Sequence, residues 1–181
     1  MQVHGYLVHI YRGIMRCYIS LGSNLGNTEE NLQKAILSIV QHNAISLVKS
    51  SSVYKTEPQG DKNQEWFANQ VIIIDYNVDG EKEAIAENLM QYLLGVEAGM
   101  GRIRDEARRF GPRIIDIDIL YIEDLLLNTP ILTVPHPRVL ERAFVLIPLQ
   151  EIAPNIRIAE STIQEALAKL EYRVENNKIY Q

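Results

Sequence analysis

Cysteine is almost missing. The 181 residues hold one, Cys17, so no intrachain disulfide can form and the fold must rest on its core. Cys17 opens an apolar stretch, where a small buried hydrophobe in a reducing interior is the expected role. Histidine is scarce too: His136 has no second histidine near it, since His4, His9 and His42 all lie far upstream, and a zinc cluster has no support. Long apolar runs are lacking, and no stretch reaches the roughly eighteen residues of a membrane span. Positive charge is not in excess: the formal charge is -5, which argues against a dedicated nucleic-acid binder. There is no Gly-Lys-Ser/Thr of a P-loop and no Gly-x-Gly-x-x-Gly of a dinucleotide site. No repeat, low-complexity segment or linker divides the chain.

What is present is ordinary globular material. With 46% apolar and 23% charged residues, one domain with its own core is expected over residues 16–181. Residues 1–15 read as an N-terminal extension, either translated frame or an ordered arm, because Met15 before Arg16 looks like a second start. They lack the basic region and small-residue cleavage pattern of a signal peptide, so the expected location is cytoplasmic.

Periodicity sets out the elements. Arg16 to Leu21 reads as a strand ending in the turn Gly22 to Asn27. Asn27, three before Glu30, has capping spacing and opens a helix with Leu32, Ile36, Ile39 and Val40 on one side. A tight turn plus a cap explains these glycines without a phosphate. Ala44 to Tyr54 reads as one long strand, Lys55 to Phe67 as a polar loop, and Asn69 to Ile74 as a further strand. A helix from Asp79 or Gly80 carries Ala84, Ile85, Leu89, Leu93 and Val96, and ends at Gly99 to Gly101. Beyond a strand at Asp116 to Ile122, a short hairpin is expected around Asn128-Thr129-Pro130. A helix over Val139 to Leu149 is disturbed at Pro148, Thr162 caps a last helix with Glu165, and a tail hairpin turns at Asn176-Asn177. The order strand, helix, strand, strand, helix, strand is the ferredoxin-like split βαβ pattern. It predicts an α+β fold: an antiparallel sheet with helices on one face and C-terminal additions.

The chemistry concentrates between Gly101 and Asp118. Five arginines, Arg102, Arg104, Arg108, Arg109 and Arg113, precede a strand whose first charges are Asp116 and Asp118. Residues two apart on a strand share a face, about 6.5 Å apart, so both carboxylates look one way while Ile115, Ile117 and Ile119 look the other. Hard cations such as Mg²⁺ take carboxylates together with substrate phosphates, and arginine forks suit phosphoryl oxygens. A second reading stays open for the arginines, because Arg102 with Glu106 and Asp105 with Arg109 have the spacing of solvated helical ion pairs. The aspartates are harder to dismiss, since charge on a buried strand is costly unless paired or bound to metal.

Other candidates lie elsewhere. Trp66 and Phe67 are adjacent and would face opposite ways on a strand, one toward core and one free to stack. His136 sits between two prolines; neutral it could ligate metal, protonated it could hold a phosphate oxygen, and a structural role is equally open. Arg142 and Phe144 share a pocket only if that segment departs from a regular helix.

Taken in order, these residues resemble the 6-hydroxymethyl-7,8-dihydropterin pyrophosphokinase family of the folate pathway. The islands are Tyr18 to Gly26; Thr56-Glu57-Pro58 with Gly60, Phe67 and Asn69; Gly101-Arg102 with Arg104 and Gly111-Pro112-Arg113 leading into Asp116-Ile117-Asp118; and Thr133-Val134-Pro135-His136 with Arg142 and Phe144. The resemblance implies transfer of pyrophosphate from ATP to the hydroxymethyl group of a reduced pterin, releasing AMP. It implies two Mg²⁺ ions on Asp116 and Asp118, ATP contacts from Arg102, Arg113, His136 and Thr133, and a catalytic-loop arginine at Arg104. It implies a pterin between Phe67 and Phe144, with Asn69 and Thr56 at its polar edge and Arg142 near the transferred group. The partners implied are ATP and the reduced pterin, with no nucleic acid and no membrane, in a monomer or weak homodimer. The chain departs from the family at Phe110, where a tryptophan is common, and in a longer loop carrying Asp105 and Glu106. Competing classes are another Mg-dependent phospho- or nucleotidyltransferase and a ferredoxin-like RNA-binding module.

Overall fold

The computed structural model describes residues 11–58, 63–102 and 111–181. Its centre is β1 (Ile14–Ser23), paired antiparallel with β4 (Phe67–Asn77) on one side and β5 (Asp116–Ile122) on the other. β2 (Ile45–Ser50) and β3 (Tyr54–Thr56) follow one another along the far edge of β4. These elements give the strand order of the expected split βαβ core. β11 (Lys178–Tyr180), with β10 (Arg173–Glu175) beyond it, extends the sheet next to β3, and β11 and β3 run parallel. β1 begins before Met15, and Tyr11 exchanges backbone hydrogen bonds with Gly80, so residues 11–15 are tied to the sheet and to the start of the second helix.

The apolar pattern of the central strands explains the layers. Cys17, Ile19 and Leu21 of β1 point to the face covered by α1 (Thr28–Ile39) and α2 (Lys82–Gly99), where Leu32, Ile39, Leu89 and Leu93 are fully buried. Tyr18, Val71, Ile73 and Leu120 point the other way and are buried as well, against α3 (Ala143–Ile152) and α4 (Ile163–Leu167). Helices therefore lie on both faces: the core pair occupies one, as expected, and the C-terminal additions cover the other. The near-continuous apolar run of β4 is the signature of a strand buried on both sides. Each such Ile or Leu contributes about 1.5–3 kcal/mol on burial.

Local chemistry sets the boundaries. Asn27 caps α1 by accepting from the Glu30 amide at 3.3 Å, and Thr162 with Glu165 closes a complete capping box on α4. The single strand expected over Ala44 to Tyr54 is two strands. Between Ser50 opposite Ile72 and Tyr54 opposite Asn69 one edge carries an extra residue, a bulge. Ser51 holds it, since its Oγ accepts from the Val71 amide at 3.0 Å where a ladder carbonyl would stand. Glu151 of α3 accepts from the Ser52 amide and hydroxyl and from Tyr54 Oη, so the displaced groups keep partners.

Downstream, β6 (Leu127–Asn128) and β7 (Thr133–Val134) form the expected short hairpin, and β8 (Arg157–Ile158) with β9 (Ser161–Thr162) forms another. The helix expected over Val139 to Leu149 is a 3₁₀ turn at Val139–Glu141, a break at Arg142, and then α3, which runs through Pro148 to Ile152. Pro148 removes one donor, the partner of the Phe144 carbonyl, and the apolar packing of α3 carries the helix past it.

Candidate active site

The register of the sheet builds the floor. Asp118 lies opposite Ser20, Asp116 opposite Gly22, Gly22 opposite Asn69, and Phe67 opposite Thr56. Partners across a ladder share a face, so these side chains all rise on the α3 side of the sheet. Gly22 keeps the centre low: a Cβ built there would stand 3.0 Å from Asn69 Oδ1. Asn69 donates to Thr56 Oγ1 at 2.7 Å, and both are buried.

Above that floor lies an open pocket of about 670 Å³. It brings together Thr56, Phe67, Asn69, Arg102, Arg113, Asp116, Asp118, His136, Arg142 and Phe144, drawn from six separate stretches of sequence. Arg142 and Phe144 share it because Arg142 is extended, at φ −119° and ψ 102°, breaking the chain between the 3₁₀ turn and α3. Thr133 stands outside, in a shallow neighbouring hollow with Leu126, Val134 and Pro135, its Oγ1 bonded to Asn128. Pro137 lines both hollows. Arg104, and with it Arg108, Arg109 and Phe110, lies outside the described residues.

The carboxylates have different surroundings. Asp116 accepts from Arg113 Nη1 at 2.8 Å through one oxygen and from Arg102 through the other. Asp118 faces Arg142 Nη1 at 3.7 Å, a looser pair. Burial first, and then the charge of Asp116, push the Asp118 carboxyl up to about 6, with Arg142 partly opposing the shift. His136 moves the other way, down to about 4, because it is enclosed and stands near Arg142 and Arg138. It is therefore neutral at neutral pH. Its Nδ1 accepts from the Arg138 amide at 3.1 Å, which leaves the proton on Nε2.

Two residues that motif reading missed hold the arginines in place. Glu97, on α2 and 1% exposed, takes Arg102 and the Ile117 amide on one carboxylate oxygen, the latter at 2.7 Å. It continues the buried stripe of Leu89 and Leu93 at the same spacing of four, and an acid on such a stripe is the signal that could have found it. Asn24, 3% exposed, clamps Arg113 from both sides: its Oδ1 accepts from the Arg113 backbone amide at 2.8 Å and its backbone N–H donates to the Arg113 carbonyl at 3.1 Å. The glycine-rich turn thus serves the site indirectly. Arg102, one of the expected ATP contacts, is seated in the pocket between Glu97 and Asp116.

A ferredoxin-like sheet with paired carboxylates facing an arginine wall and two aromatic rings defines a transferase acting on phosphorylated small molecules. Residues 18–154 match the family model of 7,8-dihydro-6-hydroxymethylpterin-pyrophosphokinase (HPPK). The chain is 42% identical over 156 residues to the 2-amino-4-hydroxy-6-hydroxymethyldihydropteridine pyrophosphokinase of Methylorubrum extorquens, covering 86% of this chain and 94% of the relative. It is 38% identical over 139 residues to the enzyme of that name from Bacillus subtilis, covering 77% and 78%. The fold also matches a crystal structure of Plasmodium falciparum HPPK-DHPS with pteroate, at a TM-score of 0.62 and 13% identity. That match covers 88% of this chain and 43% of the larger one, and it speaks for the fold alone. The chain belongs to the HPPK family and is a pyrophosphokinase of folate biosynthesis. No helix among the described residues is long and apolar enough to cross a membrane.

Proposed function

We propose that this pocket binds ATP along its arginine side and 6-hydroxymethyl-7,8-dihydropterin between Phe67 and Phe144, and transfers the terminal pyrophosphate of ATP to the pterin's hydroxymethyl oxygen. The observation that carries the reading is the gathering of Asp116 and Asp118 with Arg102, Arg113 and Arg142 over one sheet floor. In the transfer, the hydroxymethyl oxygen forms a bond to the β-phosphorus as the bond from that phosphorus to the α,β-bridging oxygen breaks. The electron pair leaves with AMP, and the hydroxyl proton passes to a phosphate oxygen or water. No dedicated side-chain base is needed; orientation and charge neutralisation carry the step.

The residues present fit Mg²⁺. Among the described residues no third His, Cys, Asp or Glu joins Asp116 and Asp118, and a hard cation completing its shell with phosphate and water needs no more. Burial first, and then the charge of Asp116, disfavour the charged form of Asp118, a penalty that a bound dication would offset. Two Mg²⁺ ions held by Asp116 and Asp118 would neutralise charge on both sides of the bond being broken. Arg102 and Arg113 would then exchange a carboxylate partner for phosphate oxygens, with Glu97 keeping Arg102 aligned. Neutral His136 would donate Nε2–H to a phosphate oxygen. Thr133, in the hollow beyond Pro137, is assigned to the nucleoside end of ATP. Asn69 and Thr56 read the pterin's polar edge and Arg142 stands at the transferred group, while the catalytic role of Arg104 rests on the family resemblance, that residue lying outside the described ones. ATP and the pterin are the partners of a cytoplasmic monomer or weak homodimer, and sedimentation at micromolar concentration checks the last point.

Incubation with ATP, Mg²⁺ and the pterin tests the reading through the nucleotide formed. AMP supports it, ADP as the sole product points to another phosphotransferase, and inert protein that retains RNA points to a binding module. The pterin slot has its own test. Phe144→Ala is expected to weaken pterin binding by about 1–3 kcal/mol, the loss of a stacked ring, and to leave ATP binding within about twofold. Titration calorimetry with each ligand separates the two, and an equal loss for both would make Phe144 general core.

A further inference from the structure

β11 carries the chain past the pterin side of the pocket. Ile179 lies opposite Thr56 and is buried among the side chains of α3 and α4, so the strand is anchored, and the two residues after it reach both walls of the slot. The ring of Tyr180 meets Trp66 edge-on at 5.3 Å, and Trp66 immediately precedes Phe67. Gln181 serves the opposite wall. Its Oε1 accepts from the Ala143 amide at 2.7 Å, and its Nε2 donates to the Glu141 carbonyl at 2.8 Å. Those two backbone groups flank Arg142 on either side. The Gln181 amide also donates to Glu57, a pocket-lining carboxylate, at 3.1 Å.

This arrangement answers a local need. Arg142 occupies the N-cap of α3 without a side-chain cap of its own, and the first amides of a helix have no partner within it. Gln181 supplies that partner from 38 residues away. A primary amide suits the place because one end accepts while the other donates; glutamate would lose the donation and methionine both bonds at similar length.

We propose that Tyr180 and Gln181 are positioning residues, a brace that fixes the aromatic walls of the substrate slot and aims Arg142 at Asp118. Tyr180 acts on Phe67 through Trp66, and Gln181 acts on Phe144 and Arg142 through the start of α3. The inference rests on the proposed seat of the pterin between those walls. It makes the affinity for the pterin depend on a residue that does not touch it.

The test uses the full chain with Gln181→Met and Gln181→Glu. For Gln181→Met the KM for the pterin is expected to rise about tenfold, as two lost hydrogen bonds allow. The KM for ATP should stay within about twofold of the parent, and Gln181→Glu, which keeps the bond to Ala143, should fall between. Gln181→Glu supplies the same readout if the methionine variant does not fold. Equal weakening of both substrates would make Gln181 a general structural residue and overturn the brace, as would constants unchanged from the parent. A parent protein that forms no AMP refutes the underlying reading; an active parent matched in every constant by both variants refutes the brace alone.

Discussion

Alanine at Asp116 or at Asp118 is expected to lower kcat at saturating Mg²⁺ by at least about a hundredfold, roughly 2.7 kcal/mol of barrier. The fold should survive, because both side chains rise toward the pocket while Ile117 and Ile119 on the opposite side of β5 hold the strand in the core. Asp118 adds a pH signature. Its carboxyl is raised to about 6, so the folded protein holds that proton more tightly than the unfolded chain does. Stability is then highest below the ordinary carboxylate value of about 4, falls as pH rises through about 6, and carries the whole penalty at neutral pH. In the metal-free protein Asp118→Asn should raise Tm at pH 7.5 and leave it nearly unchanged below about pH 4. The side chain is 36% exposed, so water screens part of the effect and the gain should be modest. Steady-state turnover and melts with a chelator at both pH values check these points; either alanine variant within threefold of the parent turnover would remove the carboxylates from the reaction.

That the two aspartates share a face could be read directly, because period-two alternation has one structural meaning once Ile115, Ile117 and Ile119 mark the buried side. The caps at Asn27 and Thr162 were legible for a similar reason: a side chain that bonds an amide three residues on acts locally. The bulge at Ser51 was not. A run such as Lys49-Ser50-Ser51-Ser52 satisfies strand geometry with or without an extra residue, and the choice falls to Val71 and Glu151, which are remote in sequence. Pro148 misled for the opposite reason. Its local rule is real, but the cost of one lost helical bond is outweighed by burial of Val145, Leu146 and Leu149.

The same division runs through the site. Arg113, Asp116 and Asp118 sit within six residues of one another, so their meeting needed no tertiary information. Asn24, Glu97 and Gln181 act across long separations and look unremarkable locally: a turn residue, one acid among several on a helix, and a polar residue after a short strand. The meeting of Phe67 with Phe144 depends on Arg142 staying extended, and the resemblance to a family supplied what residue spacing left open there.

Glu97 should therefore be among the most sensitive positions in the chain. Its carboxylate is 1% exposed and joins three elements: α2, which carries it; Arg102, just past the end of that helix; and β5, through the Ile117 amide at 2.7 Å. Glu97→Ala removes the partner of a guanidinium that is only 12% exposed and leaves a strand amide without its acceptor. Breaking a buried pair from one side costs about 3–5 kcal/mol, and Asp116, which still holds Arg102, should bring the loss toward the lower figure. Glu97→Gln keeps an oxygen for the amide and for Arg102 while giving up the charge, so about 1 kcal/mol is expected. Urea melts at constant slope read these differences directly. Activity should separate the variants further: in Glu97→Gln the neutral oxygen holds Arg102 more weakly, the balance shifts toward Asp116, the arginine is less free to meet phosphate, and kcat/KM for ATP should fall about tenfold while pterin affinity holds. A Glu97→Ala protein within 1 kcal/mol of the parent would show that Glu97 does not anchor Arg102, and the division of the guanidinium between two carboxylates would have to be abandoned.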